Sequence, residues 1–217
     1  MFYSPEEVEA LARALAEGRH RDPSRPAVTE QERDSRLVED RQDAEIVRLA
    51  AYAGLRQGEL LALRWHDINF AGSALTIARA ISAGIESSTK SGRVRRVPLA
   101  DQAAAALERT SRREHFVGSG DLVFCNMFGR HLDDSALRRR YRRAQVAADV
   151  RPLRFHDLRH TFGSLLAVNG VDVVTIQKAM GHGPLTTTSR YRHARPASEQ
   201  AERFTDAFAA SSAAAMA

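Results

Sequence analysis

The sequence predicts an α+β fold: a mostly helical domain with a small antiparallel sheet in its first half. Three observations lead there. From Asp133 onward the pattern is helical almost without interruption, with stops at Gly170 and Gly181. Between Trp65 and Leu99 it shortens into strand-like runs parted by turn signals at Gly72 and around Ser91-Gly92. The length of 217 residues, 43% hydrophobic and only 6% aromatic, suits one well-cored domain or two small ones with a mainly aliphatic interior.

The elements follow in order. Ser4, Pro5, Glu6 and Glu7 read as an N-cap, a proline at the first helical position and an acidic first turn, with the helix continuing through VEALARAL. Gly18 to about Asp40 is polar, contains Pro23 and Pro26, and reads as a loop. Asp43 to Leu55 carries Ile46, Leu49, Ala50 and Ala53 at helical spacing and stops at Gly54; another helix starts near Arg56. Trp65–Phe70, Ala74–Ala78 and Val94–Leu99 read as strands, the last two flanking a hairpin that carries Lys90. Asp101 to about Arg113 reads as a helix capped by Asp101, and Leu122–Phe124 as a short extended piece. The remaining helices are expected at Asp133–Ala148, Phe155–Asn169, Asp172–Met180, Pro184–Tyr191 and Ala197–Ala209, with SSAAAMA a frayed tail. There is no internal repeat.

The formal net charge is +5, and its clustering says more than its size. Arg138, Arg139, Arg140, Arg142 and Arg143 share one short helical stretch, while Arg93, Arg95 and Arg96 sit beside Lys90. Solvated helix faces would look similar, but a phosphate-contacting surface explains the clusters better. Arg93, Arg95, Arg138, Arg139 and Arg142 are the candidate contacts. The single cysteine, Cys125, permits no internal disulfide, reads as a small buried apolar residue and fits a reducing cytoplasm. With no signal-peptide pattern and no membrane-length apolar run, a soluble cytoplasmic protein is expected.

One ordered set of residues stands out. Arg56 lies in GLRQGELLALRW, Lys90 in TKSGRVRRVPL, His156 and Arg159 in HDLRHTFGS, His182 in MGHGPLTTTSRY and Tyr191 in SRYRHA. Breaking a phosphodiester without a metal requires cations for the charge that gathers on the non-bridging oxygens, and an acid for the leaving oxygen. Arginine's planar fork suits the first task and the mobile, tunable ammonium of Lys90 the second. Tyrosine, with a pKa of about 10, is ionised in only about one molecule in a thousand at neutral pH, a deficit of roughly 4 kcal/mol that a nearby base and a positive site would offset. His156 and His182 are the candidate bases, and Glu59, three residues after Arg56, can orient that arginine.

Each piece alone has an ordinary explanation: helix decoration for Arg56 and Glu59, a surface turn for Lys90, a C-cap for His182, an amphipathic tyrosine for Tyr191. Their conjunction in order is what carries weight. His156 and His160 also have the i, i+4 spacing of a zinc-binding H-E-x-x-H helix, but Asp157 replaces the glutamate, Arg159 would sit near the dication, and no third ligand is evident. His160 reads as a structural hydrogen-bonding residue.

From FYSPEEVEAL to SRYRHA, these motifs resemble the catalytic domain of the tyrosine recombinase (phage integrase) family, and the resemblance implies its DNA breaking-rejoining fold. It implies that Tyr191 attacks a scissile phosphate to form a 3′-phosphotyrosyl link, with Arg56 and Arg159 stabilising the transition state. Lys90 would protonate the 5′-oxygen, His156 would move the tyrosine proton, His182 would bond the phosphate, and Glu59 would support. The partner implied is a double-stranded DNA recombination site, with no metal and no cofactor. Family members usually carry an N-terminal core-binding domain; the chain begins where the catalytic domain begins, so weak DNA affinity and selectivity are expected of it alone. The last helix, with Phe204 and Phe208 on one face, either packs on its own domain or docks into a neighbouring protomer of a tetramer on DNA. A type IB topoisomerase-like enzyme and a non-catalytic DNA-binding regulator are the competing functions.

Overall fold

A computed structural model describes residues 1–27, 29–82, 84–88, 94–181 and 197–214 of the chain. The first helix, α1 (Pro5–Ala16), opens on the expected cap. The Ser4 hydroxyl accepts from the Glu7 N–H, and the Glu7 carboxylate accepts from the Ser4 N–H at 2.8 Å. Its apolar face, Val8, Leu11, Ala12 and Leu15, packs on α2 (Glu30–Ala53).

Helix α2 starts well before the expected Asp43, capped by Thr29, so the polar stretch that reads as a loop to Asp40 is loop only as far as this cap. Its first turns project past the core and carry no apolar stripe; local pairs such as Arg36 with Glu32, 2.6 Å apart, support them instead. The Arg21 fork grips Asp40 at 2.6–3.0 Å and clips the preceding loop onto the helix. From Asp43 onward α2 is buried, with Ala44, Ile46, Val47, Leu49, Ala50 and Ala53 in the core. It stops at Gly54, whose φ of 63° is left-handed. A Cβ at Gly54 would stand 2.4 Å from the Phe162 ring, so both conformation and space demand glycine there.

Helix α3 (Gln57–Leu61) follows, and Trp65–Asp67 forms a 3-10 turn rather than the start of a strand. Asp67 closes that turn by accepting from the Arg64 N–H at 3.0 Å. Strands β1 (Ile68–Asn69) and β2 (Ala74–Ile77) are antiparallel. The chain then makes a second hairpin, β3 (Arg79–Ser82) with β4 (Ile85–Ser88), before β5 (Arg95–Pro98) returns to pair with β2, Leu75 opposite Val97. The two runs expected to flank Lys90 therefore do pair, but the connection holds a hairpin that the sequence pattern hides. Ion pairs hold it together with the packing of Ile81 against the core: Arg79 reaches Asp67 at 2.6 Å and Glu86 reaches Arg64 at 3.0 Å.

Helix α4 (Asp101–Ser111) is capped at Ala100, one residue before the expected Asp101, because the Asp101 N–H donates instead to the Thr205 hydroxyl at 2.9 Å. Of the expected extended piece Leu122–Phe124, only Leu122 forms a strand-like bridge, antiparallel to Arg64, and the chain bends at Val123 and Phe124. Helix α5 (Asp134–Ala147) is capped by Asp133. Helix α6 (Asp157–Val168) starts later than Phe155 because the Asp157 carboxylate folds back onto the Arg154 N–H. Helix α7 (Val173–Met180) is capped by Asp172 and ended by Gly181, again left-handed at φ 63°. Helix α8 (Ala197–Ala214) runs beyond Ala209 into the stretch expected to fray, consistent with the high helix propensity of its alanines. The expected helix Pro184–Tyr191 lies outside the described residues.

Phe162 sits at the centre of the core, with Phe204 at 5.6 Å and Phe208 at 6.2 Å between ring centroids, and Tyr52 lies 5.1 Å from Phe208. Phe204 and Phe208 are both fully buried, so in this single chain α8 covers its own domain. Each buried ring contributes roughly 1.5–3 kcal/mol to that attachment. Cys125 is buried. Among the described residues no helix is long and apolar enough to cross a membrane.

Candidate active site

The turn from α2 into α3 sets up the first arginine. Arg56 is the N-cap of α3, with extended backbone angles, and its own N–H donates to Glu59 Oε2 at 2.8 Å. Its guanidinium donates from Nη1 to Glu59 Oε1 at 2.9 Å. Glu59 thus holds Arg56 at both ends, while 45% of the arginine side chain remains exposed. Glu59 itself is only 2% exposed. Burial alone would raise its pKa, but the Arg95 fork, with Arg56, outweighs that and holds the carboxyl below its ordinary value.

The second arginine comes from α6. Arg159 is 2% exposed, donating from Nη1 to the Gly54 carbonyl at 2.6 Å and from Nη2 to the Met180 carbonyl. No described carboxylate bonds it. Burial, then the charge of Arg56, lowers its pKa to about 10, which still leaves it ionised at neutral pH.

The two meet at the end of α7. The last carbonyls of a helix have no partner within it. Here the Ala179 carbonyl accepts from Arg95 Nε at 3.1 Å, the Met180 carbonyl from Arg159, and the Gly181 carbonyl from Arg56 Nη2 at 3.0 Å. Three guanidiniums from three separate segments thus land on three successive carbonyls, where the helix dipole also favours positive charge. The left-handed turn at Gly181 is what turns its carbonyl toward this group.

His156 is the N-cap of α6, exposed, with its ring edge-on to His160 at 5.3 Å between centroids. Partial desolvation, then the charges of His160 and Arg159, lower its pKa, so the imidazole is neutral and able to accept a proton at neutral pH. His160 is exposed and meets His156 ring to ring. Among the described residues no group of three or more histidines, cysteines, aspartates or glutamates could hold a metal ion. Lys90, Arg93, His182 and Tyr191 lie outside the described residues.

Of the other basic candidates, Arg139 and Arg142 are exposed on α5, and Arg138 is partly exposed and reaches Asp134 at 2.9 Å and Gln57 at 3.3 Å. Arg140, on the same helix, turns inward onto Asp43 and Glu39. Burial pushes Asp43 up to about 6 despite that contact. Arg95 corrects the expectation of a phosphate-facing residue. Both its Nη atoms donate to Glu59, each at 2.7 Å, and its side chain is 13% exposed. The missed signal was the alternation of β5: Arg95 shares a face with Val97, which is fully buried.

Residues 27–198 match the sequence profile of the phage integrase family. The chain is 30% identical over 174 residues to the tyrosine recombinase XerC-like protein of Caldanaerobacter subterraneus subsp. tengcongensis, covering 68% of this chain and 44% of that protein. It is 29% identical over 176 residues to tyrosine recombinase XerC of Xanthomonas campestris pv. campestris, covering 77% and 51%. The chain spans about half the length of the curated relatives it matches. Among solved structures, XerA recombinase superposes with a TM-score of 0.59 at 23% identity, covering 92% of this chain and 63% of that one. A lambda integrase tetramer bound to a Holliday junction gives 0.56 at 18% identity, covering 88% and 49%. At such identities the superpositions speak for the fold.

Proposed function

The chain belongs to the phage integrase family, and from that premise we propose that it is a site-specific DNA recombinase that cleaves and rejoins strands through a 3′-phosphotyrosyl link on Tyr191. The observation that carries the reading is the convergence of Arg56 and Arg159 on adjacent carbonyls at the end of α7. Two guanidiniums fixed side by side, one exposed and one without a carboxylate partner among the described residues, form a preorganised clamp for the two non-bridging oxygens of a phosphodiester.

The steps follow from charge and proton balance. Tyr191 attacks the phosphorus as its phenolic proton passes to His156. Arg56 and Arg159 stabilise the negative charge of the transition state, His182 bonds the phosphate, and Lys90 gives a proton to the departing 5′-oxygen. Glu59 keeps Arg56 aimed. The aryl phosphodiester conserves the bond, so a 5′-hydroxyl can reverse the attack without metal or nucleotide cofactor. The exposed arginines of α5 supply phosphate contacts that position duplex DNA without reading its sequence. Self-association into a tetramer on DNA would proceed by exchange of α8, leaving its groove at Tyr52 and Phe162 for the partner's copy.

The test is incubation with nicked suicide duplexes from the boundaries of the encoding genetic element. A covalent adduct resistant to SDS is expected, and Tyr191→Phe should abolish it. Since partial desolvation lowers the His156 pKa, its proton-accepting form persists further into acid than that of an ordinary histidine, so the adduct rate should be fully present at neutral pH and fall only on acidification below the usual histidine range. Salt-sensitive binding with no adduct would instead indicate a DNA-binding protein without strand cleavage.

A further inference from the structure

We infer that Arg95 is a positioning residue for strand cleavage, acting through Glu59 and the end of α7; the inference rests on the recombinase reading above. Arg95 bonds both the carboxylate that holds Arg56 and the last turn of α7, whose carbonyls hold both arginines. Its two Nη atoms occupy both oxygens of Glu59 at 2.7 Å, leaving that carboxylate a single allowed orientation in which to hold Arg56. Its Nε donates to the Ala179 carbonyl at 3.1 Å, immediately before the Met180 and Gly181 carbonyls that hold Arg159 and Arg56. A Cβ on Gly181 would come within 2.7–3.1 Å of the Arg95 side chain, so the turn ending α7 lies directly on it. His182 is the next residue in the sequence.

Charge supports the same assignment. Arg56 and Arg159 supply two positive charges, and Glu59 would cancel one. Arg95 offsets Glu59, so the group keeps a net +2 facing an incoming phosphate. Without Arg95, the buried Glu59 would be balanced by Arg56 alone, which would be costly and would weaken anion binding at the site. A planar fork is needed because it must bond two carboxylate oxygens and a backbone carbonyl at once, a geometry that an ammonium group cannot supply.

Arg95→Lys separates geometry from charge. In single-turnover cleavage of the suicide duplex, its rate should fall about 10- to 100-fold, as expected for misplacement of the reacting groups. DNA affinity should be unchanged and the melt should remain cooperative above the assay temperature. Combined with Glu59→Gln, its loss should be clearly less than multiplicative, because the Glu59 contact is shared by both variants while the Ala179 contact belongs to Arg95 alone. Wild-type cleavage rate in Arg95→Lys would overturn the inference, as would equal losses of rate and affinity, or losses that multiply in the double variant. Should Arg95→Lys melt below the assay temperature, Arg95→Gln takes its place; because it also removes the charge, some loss of affinity is expected, and it is read by its cleavage rate at saturating DNA and by its coupling to Glu59→Gln. Wild type and Tyr191→Phe run alongside: a Tyr191-dependent wild-type adduct upholds the recombinase reading whatever Arg95→Lys does, and its absence overturns both.

Discussion

At the end of α7, Arg56, Arg95 and Arg159 are held by backbone carbonyls and one buried glutamate; along α5, Arg139, Arg142 and Arg143 stand exposed. The residue type is the same, and the partner makes the difference. A carbonyl offers a fixed, partly charged acceptor that orients a guanidinium without neutralising it. Exposed arginines retain their rotamer freedom and offer charge without aim. Arg140 sharpens the contrast, since it lies among the α5 arginines yet spends its charge on buried Asp43. Counting arginines therefore shows where positive charge gathers, whereas their acceptors show which of them are fixed in place.

The comparison breaks most severely at Arg159. Arg159→Lys keeps the charge but cannot reach both the Gly54 and Met180 carbonyls, and should slow single-turnover cleavage by about 10²–10³, or roughly 3–4 kcal/mol, with DNA affinity little changed. Equal cleavage by the variant would show that charge alone suffices at this position.

The scaffold beneath the clamp offers a test in stability. Gly54→Ala meets both a left-handed φ of 63° and the Phe162 ring, while Gly170→Ala meets only φ 75° with open space around it. Urea unfolding should show a loss of about 1 kcal/mol for Gly170→Ala, from backbone strain, and about 2–4 kcal/mol for Gly54→Ala, where overpacking adds to it. Equal losses would mean that the packing against Phe162 relaxes freely.

The smallest effect is expected on α5. Arg139→Ala with Arg142→Ala should weaken binding of any duplex and lower the salt-dependence slope by about 2, near one unit for each phosphate that an arginine no longer neutralises. Cleavage at saturating DNA should be unaffected. An unchanged slope would remove this face from the DNA interface.

Where the chain announces structure locally, the sequence was legible. Ser4 with Glu7, Asp133 and Asp172 are caps whose chemistry is complete within three residues, and Gly54 and Gly181 stop helices by their own conformational freedom. The start of α2 was not legible, because turns held by ion pairs carry no apolar period. The β3–β4 hairpin was hidden for the same reason, with Arg79 and Glu86 anchored to the distant Asp67 and Arg64.

For the site, the sequence by itself supplied the proposed cast and its order: Arg56, Glu59, His156 and Arg159 in contexts that suit phosphodiester chemistry, with Lys90, His182 and Tyr191 named beside them. Only the tertiary structure decided what holds the arginines. Their principal anchors, at Gly54, Ala179, Met180 and Gly181, are backbone carbonyls, which every residue possesses and no residue type advertises. Which carbonyl is left free, and which guanidinium reaches it, depends on where helices end and how they pack. That information exists only once segments more than a hundred residues apart, such as Arg56 and Gly181, have come together.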